Sequence, residues 1–232
     1  MSLKSETIPS KVIVYASELQ QALKAACKVA GKKDLETVRI EIMPDIEQLR
    51  VYAMSHESTI EIRIPTTMID LVHQERDRLI EITAGEAKRI VAMGSTAASG
   101  LDDELPQIGL IITEPWINAT DETGHGRRTT QVARLAEPRL PGDPSKAVAR
   151  AIESKAIDQG FVHADQWKLV SAVASVMGHH SRLITLDAPD PVRRILLIGH
   201  SFALTSTHGH EAQGAKAEIV KITPANPPKG AA

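Results

Sequence analysis

The sequence predicts an α+β protein in which a strand, a helix and three further strands recur as a unit. Three observations carry that prediction. Apolar and charged residues alternate at period two in short stretches, the pattern of antiparallel strands with one face in a core and one in water. Those stretches come in groups, and each group follows a segment of helical period. With 232 residues, 42% apolar and 24% charged, the chain has the length and ordinary soluble composition of one large packed domain or two small ones.

In chain order, the first strand falls at residues 12–15. Ser17 is placed to cap a helix over about 18–30, and Gly31, beside Lys32 and Lys33, to end it. Val38-Arg39-Ile40-Glu41-Ile42, Leu49-Arg50-Val51-Tyr52-Ala53-Met54 and Thr59-Ile60-Glu61-Ile62-Arg63-Ile64 then alternate, each with one wet face, and Pro44-Asp45 and Ser55-His56-Glu57-Ser58 supply the turns. A second unit opens with a strand at 79–82; Thr83 caps a short helix through Met93, residues 94–100 form a small-residue loop, and strands follow at 108–113, 116–120 and 129–135. Pro138, Pro141, Gly142 and Pro144 mark the strongest boundary in the chain. Beyond it the pattern predicts a helix over 145–157, a strand at 160–163, a helix over 165–177 ended by Gly178, and strands at 183–186, 195–198, 202–207 and 218–222. The ending 224–232, rich in Pro and Ala, reads as a disordered tail.

Composition excludes several classes of function. Two Phe, two Tyr and two Trp are too few for recognition by successive base–aromatic stacks. A net charge of −2 excludes a uniformly basic nucleic-acid binder, but not one that segregates its charge. Cys27, the single cysteine, lies among Ala25, Ala26, Val29 and Ala30 and reads as a buried helix position; it makes no intramolecular disulfide. No apolar run approaches the roughly 20 residues that span a bilayer, and the first residues lack a signal peptide's apolar core. The expected location is the cytoplasm.

The first and third passes resemble each other. Met43 to Ser55 aligns with Ala188 to Ser201 after one inserted residue, which places Ile46 on Val192, Leu49 on Ile195, Val51 on Leu197 and Ser55 on Ser201. Upstream, Ala16-x-x-Leu19 matches Ala164-x-x-Trp167. Such self-similarity is the signature of a duplicated supersecondary unit.

These units, and above all the opening run Val12-Ile13-Val14-Tyr15-Ala16-Ser17-Glu18-Leu19-Gln20-Gln21-Ala22-Leu23-Lys24-Ala25-Ala26-Cys27-Lys28-Val29-Ala30 with the later segment Ser58-Thr59-Ile60-Glu61-Ile62-Arg63-Ile64-Pro65, resemble the DNA sliding clamps. The similarity is to the bacterial DNA polymerase III beta-subunit type of processivity factor, in a short and divergent form. The resemblance implies antiparallel sheets outside and helices inside, a first clamp-like domain over 1–140 and a second over 141–223. It also implies a non-catalytic homo-oligomer that needs no cofactor or metal and encircles double-stranded DNA without reading its sequence. A DNA polymerase peptide would occupy an apolar groove on the outside, and clamp-loader-like proteins would be further partners. Three units are visible where two domains ordinarily contain four, so either the helix over 145–157 is the remnant of a fourth or the second domain is truncated.

The first helix bears on DNA directly. Advancing about 100° per residue from Leu19, Ala22, Leu23, Ala26 and Ala30 share its side, whereas Gln21, Lys24, Lys28 and Lys32 fall opposite. Residues 11–33 contain five Lys against one Glu, and residues 34–62 seven acids against two Arg. Flexible lysines on one face suit weak, sequence-independent phosphate contact. Lys24, Lys28 and Lys32 are therefore the leading phosphate-contact residues, with Lys88 and Arg89 on the second unit's helix and Lys168 on the last. That last helix, with Leu169, Val173 and Val176, is apolar nearly all round and is expected to be buried at an interface.

Other chemistries have weaker patterns. His163, His179, His180, His200, His208 and His210, with Asp187 or Asp190, leave open a metal-dependent α+β enzyme, although neither HExxH nor a Cys/His framework is present. Gly124-His125-Gly126-Arg127-Arg128 lacks the P-loop pattern and reads as a hairpin turn. Asp102-Asp103-Glu104 has no ligand spacing, and Gly199-His200-Ser201 lacks the nucleophile elbow. A clamp-derived structural or regulatory module that forms no ring is the third reading.

Overall fold

The computed structural model describes residues 8–93, 105–122, 128–157, 162–178, 180–188 and 192–209. The elements run β1 (Ser10–Tyr15), α1 (Ala16–Val29), β2 (Thr37–Met43), β3 (Gln48–Met54), β4 (Ser58–Asp70), α2 (Gln74–Asp77), β5 (Leu79–Thr83), α3 (Ala84–Met93), β6 (Gln107–Ile112), β7 (Trp116–Asp121) and β8 (Thr129–Ala133). After the proline-rich segment come α4 (Pro144–Glu153), β9 (Ala156–Ile157), α5 (Ala164–Met177), β10 (Arg182–Leu186), β11 (Arg193–Ile198) and β12 (Phe202–His208). The expected strands at 160–163 and 218–222, the loop at 94–100, the acids Asp102–Glu104, the Gly124–Arg127 turn and the tail fall wholly or partly outside the described residues.

Every strand pairing among the described residues is antiparallel, and the first two units exchange their leading strands. β1 pairs with β6 of the second unit on one side and keeps β4 of its own on the other, and β5 pairs with β2. One sheet thus runs β1-β6-β7-β8 and the other β5-β2-β3-β4. β4 joins them. Its early part lies between β3 and β12, with Ile62 opposite both Val51 and Phe202, and its later part pairs with β1, where Ile69 faces Val12. Through β12 the sheet continues into β11, β10 and the two-residue β9.

Alternation decides what each face does. Val38, Ile40 and Ile42, Leu49, Val51 and Ala53, and Ile60, Ile62 and Ile64 enter one core with Ile195, Leu197, Phe202 and Leu204 of the third unit. Helices α1, α3 and α5 close the same core through Leu19, Leu23, Ile90, Val170 and Met177. The opposite face of the second sheet is not left wet, as the alternation predicts. Arg39, Tyr52, Glu61 and Glu81 on that face are all under 7% exposed, because the segment after β8 and the helix α4 lie across it. Arg39 makes the crossing possible: its Nε donates to Glu81 Oε1 at 2.7 Å, and its two terminal nitrogens donate to the carbonyls of Gly142 and Leu140 at 3.0 and 2.7 Å. Glu81 in turn accepts from the backbone N–H groups of Arg139 and Leu140. Burying this backbone without such partners would leave polar groups unsatisfied.

Two further expectations are corrected here. The helix predicted over 145–157 ends at Glu153, and Ala156–Ile157 is instead a strand on Thr185 and Leu186 of β10. Ser17 is not a cap: β1 runs into α1 without a turn, Tyr15 is the N-cap residue with no side-chain bond, and the carbonyl of Pro106 accepts the N–H of Ala16 at 2.8 Å.

Candidate nucleic-acid interface

Helix α1 buries Leu19, Ala22, Leu23, Ala25 and Ala26 completely, and its alanines let neighbours approach on both sides. It packs against α3 and against α5, and so lies between them. Lys24 and Lys28 are exposed on its free side, as the helical wheel predicts. Lys32 is exposed but is not on the helix, which stops at Val29. The chain is turned away by Gly31, whose N–H is shared between the carbonyls of Met54 and Leu35 at 2.9 and 3.0 Å. A Cβ at Gly31 would lie 2.8 Å from Leu35 Cβ and 3.3 Å from Ser55 Cα, so only glycine passes this corner unstrained. Lys11, part of the basic stretch by sequence, sits on β1 and pairs with Glu122 at 3.0 Å.

Helix α3 begins at a Thr83 cap, whose Oγ1 accepts from the N–H of Glu86 at 3.2 Å. Ala84, Ala87, Ile90 and Met93 face inward, and Lys88 and Arg89 are exposed. Arg89 donates to Glu86 one turn back at 2.7 Å, so its charge is already answered. Cys27 lies at the seam of α1 and α3, its Sγ 3.6 Å from the carbonyl of Ala84. Burial pushes this thiol up, while Lys88 and Lys28 pull it back. Both ammonium groups therefore lie near one seam, from two different helices.

Helix α5 starts with a capping box: His163 Nδ1 accepts from the N–H of Asp165 at 3.3 Å and Gln166 Oε1 accepts from the N–H of His163 at 3.1 Å. Gln166 is buried, and its Nε2 donates to the carbonyls of Arg193 and Ser206, both at 3.1 Å. The helix is not apolar all round. Val170, Val173 and Met177 face the core, whereas Lys168, Ser171 and Ser175 are exposed and Trp167 is 56% exposed. Trp167 thus does not occupy the place of the fully buried Leu19, as the repeat alignment requires. The strand part of that alignment does hold, since Leu49 and Ile195, and Val51 and Leu197, are core positions alike.

Of the late histidines, His179 and His210 lie outside the described residues, as does Asp190. His163 and His208 stack with ring centroids 3.7 Å apart, and His208 Nδ1 lies 3.6 Å from a Glu57 carboxylate oxygen. Among the described residues no group of three His, Cys, Asp or Glu side chains is placed to hold a metal. Likewise, none of the described helices is long and apolar enough to cross a membrane.

The solved structures that share this α+β, mostly antiparallel fold are DNA sliding clamps. The Helicobacter pylori beta clamp bound to a DNA ligase peptide is 10% identical with a TM-score of 0.58, over 93% of this chain and 70% of that one. A. fulgidus PCNA, bound to the C-terminal region of FEN-1, is 13% identical with a TM-score of 0.52, over 88% of this chain and all of that one. DNA polymerase III subunit beta from Pseudomonas aeruginosa is 10% identical with a TM-score of 0.52, over 84% of this chain, which spans only 64% of its length. Neither a family profile nor a curated protein matches the sequence.

Proposed function

We propose that the chain is a non-catalytic, clamp-like processivity factor that associates with duplex DNA independently of sequence and assembles with further copies around it. The observation that carries this reading is the free side of the helix layer, where α1, α3 and α5 expose Lys24, Lys28, Lys88 and Lys168 within a clamp fold. Lysine ammonium groups meet phosphates as point charges and leave easily, which suits a protein that must slide. Lys32 and Arg89 are secondary contacts, one beyond the helix end and the other held by Glu86. The H. pylori and A. fulgidus proteins were solved with a DNA ligase peptide and the C-terminal region of FEN-1, which supports a peptide of a DNA-processing enzyme, a polymerase among them, as the second kind of partner.

The test is the salt dependence of binding to duplex DNA of mixed sequence. Lys24→Glu with Lys28→Glu should weaken binding by at least tenfold in low salt and flatten the log–log salt slope by about 2, roughly one unit per lost phosphate contact. Binding unaffected by both substitutions overturns the reading. A second reading, a clamp-derived module that closes no ring, is favoured by the three helix-bearing units among the described residues. The mass of the purified protein in solution separates the two, because a monomer at every concentration excludes encirclement by copies of this chain alone.

A further inference from the structure

Helix α4 lies on the face of the sheet turned away from α1, α3 and α5. Asp143 caps it, Oδ1 accepting from the N–H of Ser145 at 3.0 Å. Val148 and Ala151 anchor it on Leu186, Leu196 and Ala203, a small apolar cluster separate from the main core. Ala147 and Ala151, one turn apart, stop at Cβ and leave between helix and sheet a cleft of about 260 Å³. Its floor is made of hydroxyls. Thr59 and Thr205 are direct cross-strand partners on β4 and β12, and Thr207 lies farther along β12 opposite Arg194 of β11.

The walls are cationic. Arg150 of α4 and Arg194 of β11 both line the cleft, with His56 at the turn between β3 and β4. Among the described residues, Arg39, Arg63, Arg76, Arg89 and Arg134 each pair with a carboxylate. Arg150 and Arg194 have no such pairing among the described residues. The one acid at the cleft, Glu57, has His208 Nδ1 3.6 Å from its carboxylate. Two arginines lining a cleft with the threonine side chains of β4 and β12 offer the donors that a tetrahedral oxyanion needs, since it accepts several charge-assisted hydrogen bonds at once. The cleft falls below the roughly 300 Å³ at which pockets begin to enclose drug-sized ligands, so it holds one anionic group and little more.

We infer that this outer cleft is a receptor for a phosphoryl group, presented by inorganic phosphate or by the phosphate of a small phosphomonoester, with Arg150 and Arg194 as its clamp. The site is independent of the DNA reading, because it lies on the opposite face. Calorimetric titration of the full-length chain with inorganic phosphate tests it, with acetate and a nucleoside monophosphate as parallel titrants. Saturable phosphate binding is expected, with the dissociation constant raised at least tenfold by Arg150→Gln plus Arg194→Gln and unchanged by Lys24→Glu plus Lys28→Glu. A nucleoside monophosphate that binds more tightly than phosphate identifies a phosphomonoester as the source, and equal or weaker binding identifies free phosphate. Arg150→Gln alone, at an exposed helix position, keeps the test valid if the double variant does not fold, and is expected to weaken binding at least threefold. No saturable binding, acetate binding as tight as phosphate, or phosphate binding indifferent to both arginines overturns the inference.

Discussion

Glu81 and Asp77, two of the three buried acids among the described residues, each fix a different piece of chain. Glu81 and Arg39 form a pair on which the crossing segment 139–142 is hung. Removing one partner leaves the other charged, buried and alone, an effect worth about 3–5 kcal/mol. Arg39→Met should lower the stability measured by urea unfolding by about that amount. Asp77, fully buried, accepts from Ser10 Oγ at 2.8 Å and from the guanidinium groups of Arg76 and Arg134, both at 3.0 Å. Burial by itself raises its pKa; the hydrogen bonds from Arg76, Ser10 and Arg134 outweigh it and hold the carboxyl below its ordinary value. A carboxyl depressed in the folded state contributes stability that is complete above the unfolded value of about 3.9 and is lost as pH falls through the folded value. Asp77→Asn should therefore be less stable than the parent at pH 6, and the gap should narrow as the pH is lowered towards 3. Urea midpoints of both proteins across that range check it, and a gap that widens towards acid would contradict the assignment.

At the scale of elements, the strands of the first unit were legible because their alternation is set by a single covered face, and Val38 to Ile64 reads core and non-core almost residue by residue. What lay over the second face was not legible. Arg39, Tyr52, Glu61 and Glu81 look like solvent-facing residues in sequence, since nothing local reveals that the segment 139–142 and α4 return to cover them. The site residues divide in the same way. Lys24, Lys28, Lys88 and Lys168 follow from helical period alone, but Lys32 depended on where α1 stops, and that is decided by a long-range contact between Gly31 and Met54. The repeat alignment sets Trp167 against Leu19, a core residue, yet Gln166, which a polar side chain argues against, is the buried one because it satisfies two strand carbonyls. The corner at Gly31 gives its own prediction. Gly31→Ala forces a Cβ against Leu35 and the Ser55 backbone, and overpacking of this kind costs about 1–3 kcal/mol. The loss should appear in urea unfolding of the full chain, and an unchanged midpoint would mean that the 3₁₀ turn at Lys33–Leu35 yields freely.

The whole molecule is held together by β4, the longest strand at 13 residues. It borders β3, β12 and β1, so the second sheet, the third unit and the first strand all depend on it. The main core shows no seam at the proline-rich boundary, because Ile195, Leu197 and Leu204 pack in one cluster with Ile60, Ile62 and Leu23. α1 reinforces the join by touching α3 on one side and α5 on the other. Detaching residues 141–223 would strip β4 of a strand and α1 of a helix, exposing apolar surface at about 25 cal/mol per Å². One cooperative unfolding transition is therefore expected, although chains of this length often show intermediates. The two tryptophans report it separately: Trp116 is on β7 of the second unit and Trp167 on α5 of the third. In the single-tryptophan variants Trp116→Phe and Trp167→Phe, fluorescence should give the same urea midpoint as circular dichroism. Both side chains are substantially exposed, at 42% and 56%, so neither substitution removes core volume. If the Trp167 transition came well below that of Trp116, the third unit would be a separately folding domain, and the β4–β12 pairing would be a contact between domains rather than the interior of one.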